Sequence, residues 1–203
     1  MKKNLVIGCG VVLGIVILIG IILVFSGIST YNKMVRLDEG VKEKWSQVEN
    51  VYQRRLDLIP NLVETVKGYA GHERETLQAV TEARAKVGGV MNIPGQALTN
   101  PEMFQQFQQA QAGLSGALQR LMVVIERYPD LKANENFLSL QSQLEGTENR
   151  IAVERRRFNE ASKEFNTYIR QFPKVILANM FGFREKPYFK AQEGADIAPK
   201  VKF

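Results

Sequence analysis

Beyond about residue 28, apolar side chains recur at alternating steps of three and four, the pattern of helices that pack along one another at a shallow angle. One seam takes Met34, Val41, Val48, Arg55, Leu62 and Tyr69 at intervals of seven, interleaved with Asp38, Trp45, Tyr52, Ile59 and Val66. A second is apolar at every seventh residue: Phe137, Leu144, Ile151, Phe158, Phe165 and Phe172. Between them runs a third, through Phe104, Phe107, Gln111, Leu114, Leu118, Leu121, Ile125 and Tyr128. A shorter amphipathic stretch, 72–87, places Leu77, Val80, Ala83 and Val87 on one face. Polar residues interrupt the first seam at Asp38 and Arg55.

The punctuation between seams fits helix ends. Thr99-Asn100-Pro101-Glu102 offers a cap, a proline for the first turn and a glutamate three residues after the threonine, which predicts a helix over 100–127. Residues 88–96 read as a loop by their glycines and proline. In 127–134, Pro129 cannot continue the preceding helix, and Asp130 or Asn134 can cap the next. No alternating β pattern of useful length occurs. The expected fold is all-α: an elongated, antiparallel up-and-down bundle of four helical segments, with long helices over about 28–69 and 134–172. Three long helices are the alternative, if 72–87 and 100–127 stack into one broken rod. The tail from Pro173 is expected to be extended or only locally helical.

Ahead of the seams lies "LVIGCGVVLGIVILIGIILVF", 21 residues without charge. At a helical rise of about 1.5 Å this covers roughly 30 Å, the hydrocarbon thickness of a bilayer. No small-residue cleavage site follows it, so an uncleaved transmembrane anchor is expected. "VIGC" matches the residue types of a lipoprotein box, but the apolar run lies mostly after Cys9 rather than before it. Gly10 and Gly14 have the spacing that lets two membrane helices approach closely, although glycine is also simply common in such helices. The expected organisation is a 1–28 anchor, a 29–172 bundle and a 173–203 tail that packs on the bundle or on a partner.

Charge adds little. Of 27 Lys and Arg, Lys2 and Lys3 precede the apolar run, and the rest exceed the 21 Asp and Glu by four, dispersed along helices. That suits an anionic membrane surface better than a nucleic acid, for which no aromatic-basic motif is present. Basic residues nearly balance across the span. A large domain following an N-terminal anchor is often exported, which favours an extracytoplasmic bundle of the inner membrane. The soluble part has one histidine, His72, and no cysteine. There is no phosphate loop, no nucleophile motif and no paired Glu-x-x-His. No enzymatic activity, catalytic residue, metal or cofactor is expected.

"RRLDLIPNLV", 54–63, holds a proline in phase with the seam on both sides, so Pro60 is expected to kink one long helix rather than end it. Its ring frees the carbonyl of Leu56, for which Arg54, Arg55 and Asn61 carry donors, with Asp57 able to hold an arginine. These five residues, Arg54, Arg55, Asp57, Pro60 and Asn61, form the candidate polar site. Arg55 sits where leucine is expected and calls for a carboxylate from Glu145, Glu148 or Glu154. The three arginines of "ERRRF", 154–158, read as solvated or salt-bridged faces, with anionic lipid or an acidic partner as the alternative.

Three stretches carry a resemblance: "YNKMVRLDEGVKEKWSQVENVYQRRLDLIPNLVETVKGYAGHERETL" (31–77), "IERYPDLKANENFLSLQSQLEGTENRIAVERRRFNEASKEFNTYIRQFP" (125–173) and "FGFREKPYF" (181–189). With them the chain resembles the LemA family of bacterial single-span membrane proteins. The resemblance implies an N-terminal span and a helical bundle, and brings no catalytic residues. Two functions remain open: a membrane-tethered scaffold or adaptor for envelope proteins, self-assembling if the second seam is left uncovered near Phe165 and Phe172, or a ligand-sensing bundle coupled to the membrane helix through Pro60. A concave polar pocket favours sensing; a long exposed apolar stripe favours assembly.

Overall fold

In the computed structural model of the chain, residues 2–91 and 96–190 are described, with side-chain surroundings for 13–91 and 97–190. Among them are six α-helices and no strand: α1 (Lys2–Tyr69), α2 (Arg74–Met91), α3 (Pro101–Ile125), α4 (Pro129–Lys132), α5 (Glu135–Arg170) and α6 (Lys174–Met180). A 3-10 turn, Gln96–Leu98, precedes α3. The two short helices lie where the sequence reads as connection and tail, so six elements stand in place of four. Contacts divide the chain into two compact units, Met1–Gly40 with Lys163–Glu185 and Val41–Ser162 with Lys186–Phe203. These boundaries fall inside α1 and α5, because each helix packs different partners along its length.

In the larger unit, the first seam buries Val41, Trp45, Val48, Tyr52, Ile59, Leu62 and Val66. Ile59, Leu62 and Val66 share one core cluster with Leu77, Val80 and Val87 of α2, Leu114, Leu121 and Ile125 of α3, and Phe137 and Leu144 of α5. The helix ends are capped as their residue types dictate. Asn100, rather than Thr99, accepts from the backbone N–H groups of Glu102 (2.9 Å) and Met103 (3.4 Å), so α3 begins with an asparagine cap and a proline at its first position. Asn134 Oδ1 accepts from Phe137 N at 3.0 Å and caps α5. The Asn134 amide also donates to the Tyr69 hydroxyl at 3.0 Å. Tyr69, the last residue of α1, is exposed and ends the seam early.

Trp45 is the centre of an aromatic cluster. Its ring lies 5.3 Å from Phe107, 5.4 Å from Phe158, 5.8 Å from Phe104 and 6.1 Å from Phe189. Its indole N–H donates to Glu49 Oε1 at 2.7 Å, which satisfies the one polar atom such a ring carries into a core. Phe189 reaches the cluster from an extended tail segment. The Asn159 side chain holds that segment like a neighbouring strand, donating to Phe189 O and accepting from Phe189 N, both at 2.9 Å. Tail residues thus fill the core, where the heptads gave no place for them.

In the smaller unit, α6 ends on Gly182, whose φ of 76° suits the residue past a helix terminus. Phe183 N donates to Ala178 O at 2.9 Å and Gly182 N to Asn179 O at 3.3 Å, the paired bonds of a Schellman end. The turn returns Phe183 to Phe165, with ring centroids 6.2 Å apart. Phe165 is therefore fully buried by the chain itself, which removes the expected reason for a second subunit there. Phe172 departs from its seam: α5 ends at Arg170, and Phe172 is 82% exposed.

Replacing Trp45 by alanine deletes the largest ring of a buried cluster and is expected to cost about 3–5 kcal/mol. Denaturant unfolding of the chain in mild detergent checks this; a loss below about 1 kcal/mol contradicts the packing described.

Candidate functional site

Arg55 comes from the inward face of α1 and is 1% exposed. Nη1 donates to Glu148 Oε1 of α5 at 2.6 Å and to Ser115 Oγ of α3 at 3.1 Å. Nη2 donates to Gln111 Oε1 of α3. The guanidinium carbon lies 5.1 Å from the centroid of the Tyr52 ring. The carboxylate partner is thus one of the three expected, Glu148. Nε has no partner among the described residues. A buried N–H of this kind retains its full desolvation cost until something accepts from it.

A groove of about 640 Å³ opens at this cluster. Tyr52 and Arg55 come from α1; Gln105, Gln108, Gln109, Gln111 and Ser115 from α3; Glu148, Ile151 and Arg155 from α5; Phe189 and Lys190 from the tail. Arg155 lies over the Phe189 ring, 4.7 Å from its centroid, and its Nη2 donates to Lys190 O at 2.9 Å. The lining carries three cations, Arg55, Arg155 and Lys190, against one carboxylate, Glu148. Burial pushes the Tyr52 hydroxyl pKa above the ordinary tyrosine value, opposed by the Arg155 and Arg55 guanidiniums. The hydroxyl is neutral at physiological pH.

Of the five candidate residues, only Arg55 enters this groove. Arg54, Asp57, Pro60 and Asn61 are exposed, because at 100° per residue they point away from the seam that Arg55 occupies. Asp57 accepts from Gln53 Nε2 at 2.7 Å. Asn61 offers its backbone carbonyl to Thr65 Oγ1 at 2.8 Å. Helix α1 does continue through Pro60. The carbonyl freed at Leu56 is satisfied from another helix, by Arg84 Nε of α2 at 3.0 Å, and not by Arg54, Arg55 or Asn61. A donor on the same helix one residue before the carbonyl points the wrong way; α2 passes on the right side. The sequence reading places Gln111 in the third seam and Arg155 among the three arginines of 154–158, and assigns none of Gln111, Ser115 and Arg155 to a site. The usable signal was Gln111, the polar intruder in the third seam, which meets Arg55, the polar intruder in the first.

His72 is exposed in the turn before α2. A Cβ on Gly14 meets nothing within 4 Å in the single chain, and the surroundings of Gly10 lie outside the described residues. From Leu13 to Ile28 the large apolar side chains of α1 are half or more exposed, and the helix, described from Leu13 on, is long and apolar enough to cross a membrane.

These features define an all-helical protein with an apolar N-terminal helix, which fits a membrane protein, and a polar groove built on a buried arginine. The chain belongs to the LemA family, whose profile matches residues 44–203. That match begins past the apolar run and takes in every residue of the groove. Among curated relatives, magnetosome protein MamQ of Magnetospirillum gryphiswaldense is 28% identical over 193 residues, 84% of this chain and 70% of MamQ. Magnetosome protein MamQ 2 of Paramagnetospirillum magneticum is 27% identical over the same shares. Protein LemA of Metamycoplasma hominis is 25% identical over 172 residues, 85% of this chain and 74% of that protein.

Two outcomes follow from the geometry. Arg84→Met leaves the Leu56 carbonyl without a donor and is expected to cost about 1–3 kcal/mol. In a Pro60→Ala background residue 60 regains an N–H for that carbonyl, so the same change should cost much less; equal costs in the unfolding cycle contradict the assignment. For Tyr52, a folded pKa above the unfolded value of about 10 means its contribution is complete below that pH and is lost as pH rises through the folded pKa. Tyr52→Phe should therefore flatten the alkaline decline in stability, and an unchanged decline in unfolding midpoint between pH 9 and 11, roughly, contradicts it.

Proposed function

We propose that this chain is a non-enzymatic binding module, held in the bacterial cytoplasmic membrane by one N-terminal span, with the helical domain on the extracytoplasmic side. The groove at Arg55 is its ligand site, and the ligand presents a carboxylate or phosphate group. One observation carries this reading: a buried arginine with one unpartnered N–H is among the residues lining a groove that has three cations and one carboxylate. Guanidinium groups recognise carboxylate and phosphate through paired N–H donors. The glutamine amides of α3 supply further donors around the same space. The reading takes α1, α2, α3 and α5 as the four segments of an up-and-down bundle, supported by the short connections at 70–73 and 126–134. It takes the bilayer as cover for the apolar side chains from Leu13 to Ile28, which water would leave exposed at a cost of roughly 25 cal/mol per Å².

The second reading, a scaffold or adaptor that self-associates or gathers envelope proteins, draws on the relatives named as magnetosome proteins and on the Gly10 and Gly14 spacing. The polar groove favours the first reading, and the Arg84 contact to the Leu56 carbonyl is a route by which a change at α2 reaches Pro60 and α1.

Calorimetric titration of the detergent-solubilised chain with inorganic phosphate and with acetate tests the site. Saturable binding of either anion is expected, weakened about tenfold or more by Arg155→Gln, which corresponds to roughly 1.4 kcal/mol. No binding by the parent chain, or equal binding by the variant, overturns the reading.

A further inference from the structure

The smaller unit leaves an apolar face uncovered. Ile176 and Met180 are four apart on α6, which puts them on one face of it, and Phe172 in the turn before the helix and Phe181 just after it are exposed as well. The exposures of Phe172, Ile176, Met180 and Phe181 are 82%, 58%, 65% and 52%, while Ala178 on the other side is buried. The face has a fixed level relative to the apolar run of α1. The Phe181 ring lies 4.7 Å from that of Tyr31, and Tyr31 is three residues past Ile28, where the run ends. Three residues rise only about 4.5 Å.

We infer that α6 is a second membrane contact, an interfacial foot that lies in the plane of the bilayer surface with Phe172, Ile176 and Met180 turned into the acyl boundary. The occupant of the face is lipid because its height matches the end of the span, where hydrocarbon gives way to headgroups. A helix of seven residues is far too short to cross a bilayer but is suited to lie on one. The residues around it have the amphipathic character of an interface. Tyr31 and Tyr168 are placed as belt aromatics. Lys33 and Lys174 sit 5.0 Å and 3.9 Å from the Tyr168 centroid, with long apolar stems and charged ends that suit anionic headgroups. The turn at Gly182 then carries the chain away from this level, and Phe183 packs back on Phe165. The foot fixes the rotation and tilt of α1 about its axis, which one span alone leaves free.

The inference rests on α1 crossing the membrane, and the test separates the two. Nitroxide labels are placed singly at Ile176→Cys, Met180→Cys and Leu18→Cys, in a Cys9→Ser background, in vesicles containing anionic lipid. All three sites are exposed, so the labels leave the packing intact. Collisions with oxygen, which partitions into lipid, and with a water-soluble nickel chelate report depth. The expected result is loss of nickel access and gain of oxygen access at 176 and 180, with 18 deeper still. Oxygen access at 18 with free nickel access at 176 and 180 overturns the foot and leaves the span standing. Nickel access at all three overturns both. Shielding of 176 and 180 from both reagents, with spin–spin broadening, gives the face to a second copy of the chain and overturns the lipid contact.

Discussion

A guanidinium inside an apolar seam constrains everything packed around it. The five N–H donors of Arg55 demand acceptors in place and at the correct height on the facing helices. Ser115 and Gln111 fix α3 against α1, and Glu148 fixes α5. A slip of either helix by one turn, about 5.4 Å, leaves the charge without partners. Leucine at this position packs with less demand, and replacing a buried ion pair by apolar residues is often neutral or stabilising. The retention of a charge where a hydrocarbon suffices is what puts a guanidinium in the lining of the groove, and that is why the proposed function starts from this residue.

The seams were readable because heptad spacing reports directly which face of a helix is buried. From Val41 to Val66, from Phe104 to Ile125 and from Phe137 to Phe165, every position assigned to a seam is buried, Arg55 and Gln111 included, with Leu56, Leu58, Ala117, Thr147 and Ser162 buried beside them. The failures occur where periodicity stops being informative. Tyr69 and Phe172 continue a spacing of seven at or past the end of a helix, where the backbone no longer holds the phase. Phe189 belongs to no period, and its burial depends on the Asn159 amide and on the ring cluster of Trp45, both distant in sequence.

The proline stretch shows the same division between local and long-range information. That α1 passes through Pro60 follows from seam phase on both sides. That Arg84 supplies the missing donor does not, because the contact spans 28 residues and depends on how α2 lies against α1. Similarly, the need of Arg55 for a glutamate was local, and Glu148 could be named as one of three by its place on the facing helix. The groove itself was not readable. It arises where two polar interruptions meet and where Arg155 and Lys190, placed by α5 and the tail, add charge.

The central claim is that the Arg55 guanidinium, though buried and paired, retains a donor for an anion entering the groove. The most direct measurement is the side-chain Nε–H resonance of Arg55 in a proton–nitrogen correlation spectrum, assigned through Arg55→Lys, as inorganic phosphate is added. Burial predicts a resolved, slowly exchanging signal that shifts saturably with phosphate, while the exposed arginines move little or linearly. An Arg55 Nε–H that stays in place through the titration contradicts the account.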